Sequence, residues 1–271
     1  MKKHLSTILL VFVLLAGLSL LLYPTVANYV NSRNQSRMIA SYREAVEVET
    51  VSYEADWAAA KEYNRRLMEK GAMTVLSESE KQEYESLLNL GGNGIMGYID
   101  IPKINVKMPV YHGTDEAVLQ VAIGHIENTS LPTGGVGTHC AVSGHRGLPS
   151  ARLFTDLDQM AVGDTFMMHI LDETLTYEVD QILIVLPHET QALAIDPQQD
   201  YCTLVTCTPY GVNSHRMLVR GHRVETVEEK QEIVVIAEAE QIDEKIVIKW
   251  LAIPTAALVF LGLLFPIKKK R

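Results

Sequence analysis

The chain has 271 residues, 47% hydrophobic and 21% charged, with a formal net charge of −9. This is ordinary globular composition, and the chain is long enough to bury an adequate core without disulfides. All 33 acidic residues fall within positions 26–245, whereas seven of the 24 basic residues lie outside that stretch, so the middle of the chain lacks the surplus Lys and Arg of a general nucleic-acid binder.

In chain order, residues 5–23 form an uncharged run of 19 behind Lys2 and Lys3, close to the ~20 residues that cross a bilayer core as a helix. Residues 1–25 are therefore expected to be a transmembrane helix or signal anchor. A basic start, an apolar middle and the small-residue stretch Thr25-Val26-Ala27 also fit a cleaved signal peptide. Residues 26–92 read as an extracellular helical arm. Tyr53, Trp57, Ala60 and Leu67 recur at helical spacing within 36–70. SESE (77–80) has the form of a capping box, with Ser77 as N-cap and Glu80 reaching back. The helix it opens should run through Leu88 and stop at Gly91-Gly92. The arm is expected to be solvated and without a catalytic role.

From Ile95 the texture becomes β-rich: IMGYIDIPKINVKMPVYHG, broken by Pro102 and Pro109, then THCAVSGH, DTFMMHIL, TLTYEVDQILIVLP, YCTLVTC and HRMLVRGHRV. Many short strands with little helix between them predict a mainly β domain over 93–226, either a sandwich or a closed barrel. One short helix is expected at 150–157. Residues 227–245 are acidic and read as a tether. Residues 250–267 are a second uncharged run, of 18, before a tail of three Lys and Arg271, so 246–271 is expected to be a second transmembrane helix with a basic cytoplasmic tail. Basic flanks on both spans predict cytoplasmic termini, with 26–245 on the extracellular face of the cell membrane.

The chemistry concentrates in TLVTCTPYGVNSHRMLVRGHR. Cys140, Cys202 and Cys207 leave at least one thiol without an intrachain partner, and Cys202 and Cys207, five apart on one strand, point to opposite faces. Cys140 and Cys202 read as small buried hydrophobes. Arg216 follows Cys207 by nine residues across a turn built from Pro209, Gly211 and Asn213, which suits a strand, a turn and a return strand. His145 sits in SGHRGLP. A neighbouring cation favours the thiolate of a cysteine. An imidazole can shuttle the proton of an amine, and a guanidinium can donate to an oxyanion. Cys207, His145 and Arg216 therefore form a candidate acyl-transfer site, although 62 residues separate the thiol from the imidazole. A zinc site from His139, Cys140, His145, Cys202 and Cys207 is the rival, but no C-x-x-C pair or H-x-x-x-H helix supports it. No metal or cofactor is expected.

The same segment closely resembles the Thr-Leu-x-Thr-Cys signature of sortases, and its longer form resembles the pilus-assembling class C group of Gram-positive bacteria. GYIDIPKINVKMPVYHGT (97–114) and SGHRGLPSARLFTDLD (143–158) are similar to that group too. The resemblance implies a closed β-barrel of about eight strands, with short helices, the helical arm and a transmembrane helix at each end. It implies Cys207 as nucleophile, His145 as general acid/base, Arg216 at the oxyanion or substrate, and Thr206 as a substrate-binding residue. The implied reaction cleaves an LPxTG-like sorting signal between Thr and Gly. It passes through a thioester and ends on a pilin lysine, so the implied partners are pilin subunits bearing such signals and acceptor lysines. A non-catalytic membrane-anchored scaffold or adhesin, and a purely hydrolytic cysteine peptidase, are the alternatives.

Class C enzymes usually carry an Asp-Pro-aromatic lid ahead of the barrel. Here the only Asp-Pro, Asp196-Pro197, lies within the β region, and GAMTVLSESE (71–80) stands where a lid would fall, so the usual anchored lid is expected to be absent or replaced. LPTGG (131–135) looks like a sorting signal but lacks a residue between Pro and Thr, and it reads as a surface turn.

Overall fold

The computed structural model describes residues 2–48, 52–71 and 76–226, in two compact units. The described part of the first unit is residues 2–22, all in helix α1 (Lys2–Val48). Leu9, Leu10, Phe12, Val13, Leu20 and Leu21 stand exposed along it. An 18-residue window in this helix has a mean hydropathy of 2.4, and among the described residues it is the one helix long and apolar enough to cross a membrane. The expected acidic tether and second span, 227–271, lie outside the described residues.

The second unit, Tyr23–Thr226, contains the remainder of α1, α2 (Glu54–Lys70), α3 (Glu78–Ser86), α4 (Glu116–Leu119) and eight strands. The strands are β1 (Ile95–Ile101), β2 (Val106–His112), β3 (Ile123–His125), β4 (Thr138–Ser143), β5 (Thr165–Ile170), β6 (Glu173–Val185), β7 (Asp200–Thr208) and β8 (His215–Val224). They close into a barrel in the order β1-β2-β3-β4-β7-β8-β6-β5, which leaves no unpaired sheet edge. Pairing is antiparallel except for β2 with β3 and β4 with β7. Ile99, Val110, Val142, Phe166, Leu204 and Val219 belong to the main core.

The helical arm is docked rather than solvated. Trp57, Ala60, Tyr63 and Leu67 of α2 and Tyr84 of α3 belong to the same core cluster as the barrel strands. Fully burying a large apolar side chain stabilises by roughly 1.5–3 kcal/mol, so this face binds α2 firmly. The charged residues that made the arm look solvated cover its other side, as in the Arg65–Glu62 and Arg66–Glu83 pairs. Asn64 is buried among the apolar residues. Its amide donates to the Leu131 carbonyl and to Thr133 Oγ1, each at 2.9 Å, and its oxygen accepts from the Leu131 amide at 2.7 Å. Residues 131–134 are consequently buried, not a surface turn.

Other differences are local. The capping box forms as expected, with both reciprocal bonds between Ser77 and Glu80, but α3 ends at Ser86 and Leu88 turns into the left-handed region at φ 55°. Pro109 does not break β2. It pairs with Tyr98 of β1, and the ladder to β3 begins one residue later, at Val110. The helix expected at 150–157 is a series of turns, with Leu153 at φ 40° and a 3₁₀ turn at Leu157–Gln159.

Candidate active site

The β7–β8 hairpin sets two of the three candidate residues. Val212 and Asn213 donate to the Pro209 carbonyl at 3.1 and 2.9 Å, and Gly211 and Asn213 take positive φ, which closes the turn. The register then places Cys207 directly opposite Arg216. Such cross-strand neighbours share a face, with Cβ atoms about 4.5–5.5 Å apart.

His145 arrives on the other side of β7. Strands β4 and β7 run parallel, with Ser143 opposite Val205. Two hydrogen bonds carry that register past the end of β4: the Gly144 amide donates to the Val205 carbonyl at 3.1 Å, and Thr206 Oγ1 donates to the Gly144 carbonyl at 2.8 Å. One residue further along, past the end of β4, comes His145, and on β7 comes Cys207, so the extended register points the one toward the other. Residues from three adjacent elements, distant in sequence, therefore come together at one end of the barrel wall.

They lie on its outer side. Along β7, Cys202 and Leu204 belong to the main core, whereas Val205 joins a separate cluster with Ala141, Leu193 and Leu218. Cys207 continues the Val205 face and Arg216 the Leu218 face. Leu183 and Val185 of β6, opposite Leu218 and Arg216, extend the same apolar strip. His139 ties Leu193 and its neighbours down: its Nδ1 faces the Ala194 carbonyl at 2.9 Å and its Nε2 faces Thr203 Oγ1 at 2.7 Å. The result is an apolar strip with a thiol, an imidazole and a guanidinium at one end.

All three cysteines are free. Cys140 and Cys202 are buried as expected, and Cys207 is half-buried. Arg216 Nη1 donates to the backbone carbonyls of Asn213 and His215 at 3.2 and 3.1 Å. Those bonds use one nitrogen of a fork with five N–H groups. Thr206, expected to touch substrate, points inward instead. It is 2% exposed, and its hydroxyl holds the backbone ahead of His145. A Cβ at Gly144 would lie 2.5 Å from Ile123 Cδ1 and 2.8 Å from Phe154 Cδ2, so a larger residue there would force those buried side chains to shift. Gly147, at φ 79°, lies under the Tyr210 ring, so the β7–β8 turn leans on the loop that follows His145.

Two features of the site were missed in the sequence. Glu116, on the short helix α4, brings Oε2 within 3.8 Å of His145 Nε2; the acidic pair Asp115-Glu116 was the one available sign of a helix start there. The second half of α1 also grips the segment beyond His145. Asn31 donates to the Ser150 carbonyl at 2.8 Å, and Asn28 accepts from the Arg152 amide at 3.1 Å. Isolated Asn residues near an apolar run carry no such signal. Among the described residues, no group of three or more His, Cys, Asp or Glu is arranged to hold a metal ion. Of residues 71–80, where a lid would fall, 72–75 lie outside the described residues, and Ser77–Glu80 form the capping box of α3.

A sortase-domain model matches residues 99–224. Sortase C1 from Streptococcus agalactiae superposes with a TM-score of 0.69 at 52% identity, covering 70% of this chain and 100% of that one. The chain belongs to the sortase family, in its class C group. A sortase C from Streptococcus pneumoniae aligns with a TM-score of 0.62 at 38% identity, over 70% of this chain and 97% of that one. Among curated relatives, sortase D from Bacillus subtilis (strain 168) is 28% identical over 131 residues, 47% of this chain. The chain spans 63% of that relative's length.

Proposed function

We propose that the protein is a membrane-tethered cysteine transpeptidase that cleaves an LPxTG-like sorting signal and joins it to a pilin lysine. The observation that carries this reading is the convergence of Cys207, His145 and Arg216 through the β4–β7 and β7–β8 registers. Membership of the sortase family supports the reaction class. The structure of the pneumococcal sortase C bears on its pilin substrate specificity, which supports a pilin as substrate here.

A free thiol has a pKa near ~8.5, so it is only a few per cent ionised at neutral pH. In this reading Cys207 reacts as its thiolate. That thiolate attacks the Thr carbonyl carbon of the sorting signal. Arg216 donates to the oxyanion, a contact typically worth about 3–4 kcal/mol. His145 gives its proton to the Gly nitrogen, the C–N bond breaks and a thioester remains on Cys207. A lysine amine then loses a proton to His145 and attacks the thioester carbon. The C–S bond breaks, and an isopeptide bond and the thiolate result. Leu183 and Val185, the partly buried members of the apolar strip, offer apolar surface for the Leu-Pro part of the signal. Thr206 acts as a positioning residue. The exposed apolar residues of α1 between Ile8 and Leu22 support a membrane anchor; the basic flanks of the sequence favour a barrel on the extracellular side and cytoplasmic termini.

Mass spectrometry of the protein incubated with an LPxTG-like peptide and a lysine-bearing acceptor tests this. A thioester on Cys207, absent from Cys207→Ala, and an amide-linked product are expected. Free acid as the sole product would make the protein a peptidase. Normal surface polymers in a Cys207→Ala strain would make it a scaffold. Labelling of intact cells should reach the barrel, and protection from the label would overturn the orientation.

A further inference from the structure

We propose that Glu116 docks the incoming primary amine as its ammonium ion beside His145, and so favours attack by an amine over attack by water. The inference rests on the transpeptidase reading and names the acceptor subsite of that same site. Glu116 lies at the start of α4 with 73% of its side chain exposed, and its Oε2 is 3.8 Å from His145 Nε2. Its other oxygen, Oε1, accepts from the Gln120 side-chain amide one turn on, which orients the carboxylate. No Lys or Arg forms an ion pair with it among the described residues. The carboxylate is thus close to the base, open to solvent and, among the described residues, without a Lys or Arg partner.

The second half of the reaction calls for such a group. A lysine side chain has a pKa near ~10.4, so at neutral pH it arrives charged and cannot attack until it loses a proton. An ammonium held by Glu116 sits within reach of neutral His145. One N–H proton passes to the imidazole, the freed lone pair forms the C–N bond, and a second N–H proton passes to solvent water as the C–S bond breaks. The thiolate that leaves is balanced by the imidazolium. Water carries no charge and gains nothing from the carboxylate, so Glu116 separates the two nucleophiles by charge.

The full-length protein and its Glu116→Gln variant, compared with an LPxTG-like peptide and Nα-acetyl-lysine amide as acceptor, test the proposal. An exposed ion pair is worth up to ~1 kcal/mol. The variant should therefore raise KM for the amine, and lower the ratio of aminolysis to hydrolysis, by about two- to fivefold. Added salt should erase the difference. Hydroxylamine, uncharged at neutral pH, should show no difference between the two proteins. An unchanged KM for the lysine amide overturns the proposal. So does an equal loss with hydroxylamine, which would make Glu116 a partner of His145 alone. Failure of the unsubstituted protein to form any thioester would sink the transpeptidase reading, and this inference with it.

Discussion

Thr206 Oγ1 donates to the Gly144 carbonyl at 2.8 Å, so the residue before Cys207 holds the residue before His145. The bond sits inside the barrel, and both partners are shielded from water. It is one of two contacts that extend the β4–β7 register beyond the last residue of β4. Thr206→Val keeps the shape but strands a buried carbonyl, at a cost of about 1–3 kcal/mol. Part of that cost should appear as displacement of His145, and misplacement of a catalytic group by ~1 Å can cost about 10²-fold in rate. The expected outcome is a fall in kcat with a smaller change in KM for the peptide. Thr206→Ser, which keeps the hydroxyl, should recover most of the rate. Equal activity of the Val and parent proteins would show that the bond does not position the site.

Arg216 carries a different prediction. It lies opposite Cys207, and its Nη1 is already bonded to the carbonyls of Asn213 and His215. A lysine could replace the charge but not the planar fork that bonds the turn and a substrate at once. Arg216→Lys should lower kcat/KM by about 10²–10³-fold, the loss typical of an oxyanion donor, while the barrel still unfolds at a similar denaturant concentration. Near-parent turnover would assign Arg216 to the hairpin and not to the chemistry.

The strands were legible because β-branched runs separated by Gly, Pro, Asn and Asp mark them directly. The hairpin that pairs Cys207 with Arg216 was legible too, because its turn residues lie between the two. Strand β3 has three residues and α4 four, too short for any period to show, and so Glu116 went unnoticed. The parallel pairing of β4 with β7 joins segments 62 residues apart, and local pattern says nothing about it. Residue type and its glycine-flanked loop made His145 a candidate and the resemblance implied its role, but only the extension of the β4–β7 register points it toward Cys207. Asn64 gave no signal, because a polar residue among Glu, Arg and Lys looks like part of a wet face. Its partners, the backbone of Leu131 and the hydroxyl of Thr133, belong to a loop 67–69 residues away.

That clamp should bear on stability rather than chemistry. Asn64→Ala leaves the buried Leu131 amide without its partner, while the Leu131 carbonyl keeps the Thr133 amide and the Thr133 hydroxyl keeps the Gly134 carbonyl. An unsatisfied buried group costs about 1–3 kcal/mol, less where water enters the gap, so a loss of about 1–3 kcal/mol is expected. Chemical denaturation should show a lower midpoint with an unchanged m-value. Peptide turnover well below the melting temperature should stay near the parent rate. A midpoint within error of the parent would mean that the apolar face of α2 alone holds the arm.

The buried histidines predict a dependence of stability on pH. His169 stacks on Tyr98 at 4.3 Å and pairs with the Thr174 hydroxyl at 3.0 Å. Burial, and secondarily Lys107, push its pKa down to about 4, with Arg43 acting in the same direction and Asp100 against it. Burial lowers His112 and His139 as well. In the unfolded chain these imidazoles take up protons near pH ~6.5. Between about pH 6.5 and 4 the unfolded state therefore binds protons that folded His169 does not. Stability should be fully present above that window, fall as the pH drops through it, and stop falling from this cause below it. His169→Gln removes the proton uptake of the unfolded state at this position. Compared with the parent in denaturant titrations from pH 7.5 to 4, the variant should lose less stability across the window, whatever its stability at neutral pH. Parallel pH profiles for the two proteins would show that His169 is protonated in the folded barrel as readily as in the unfolded chain.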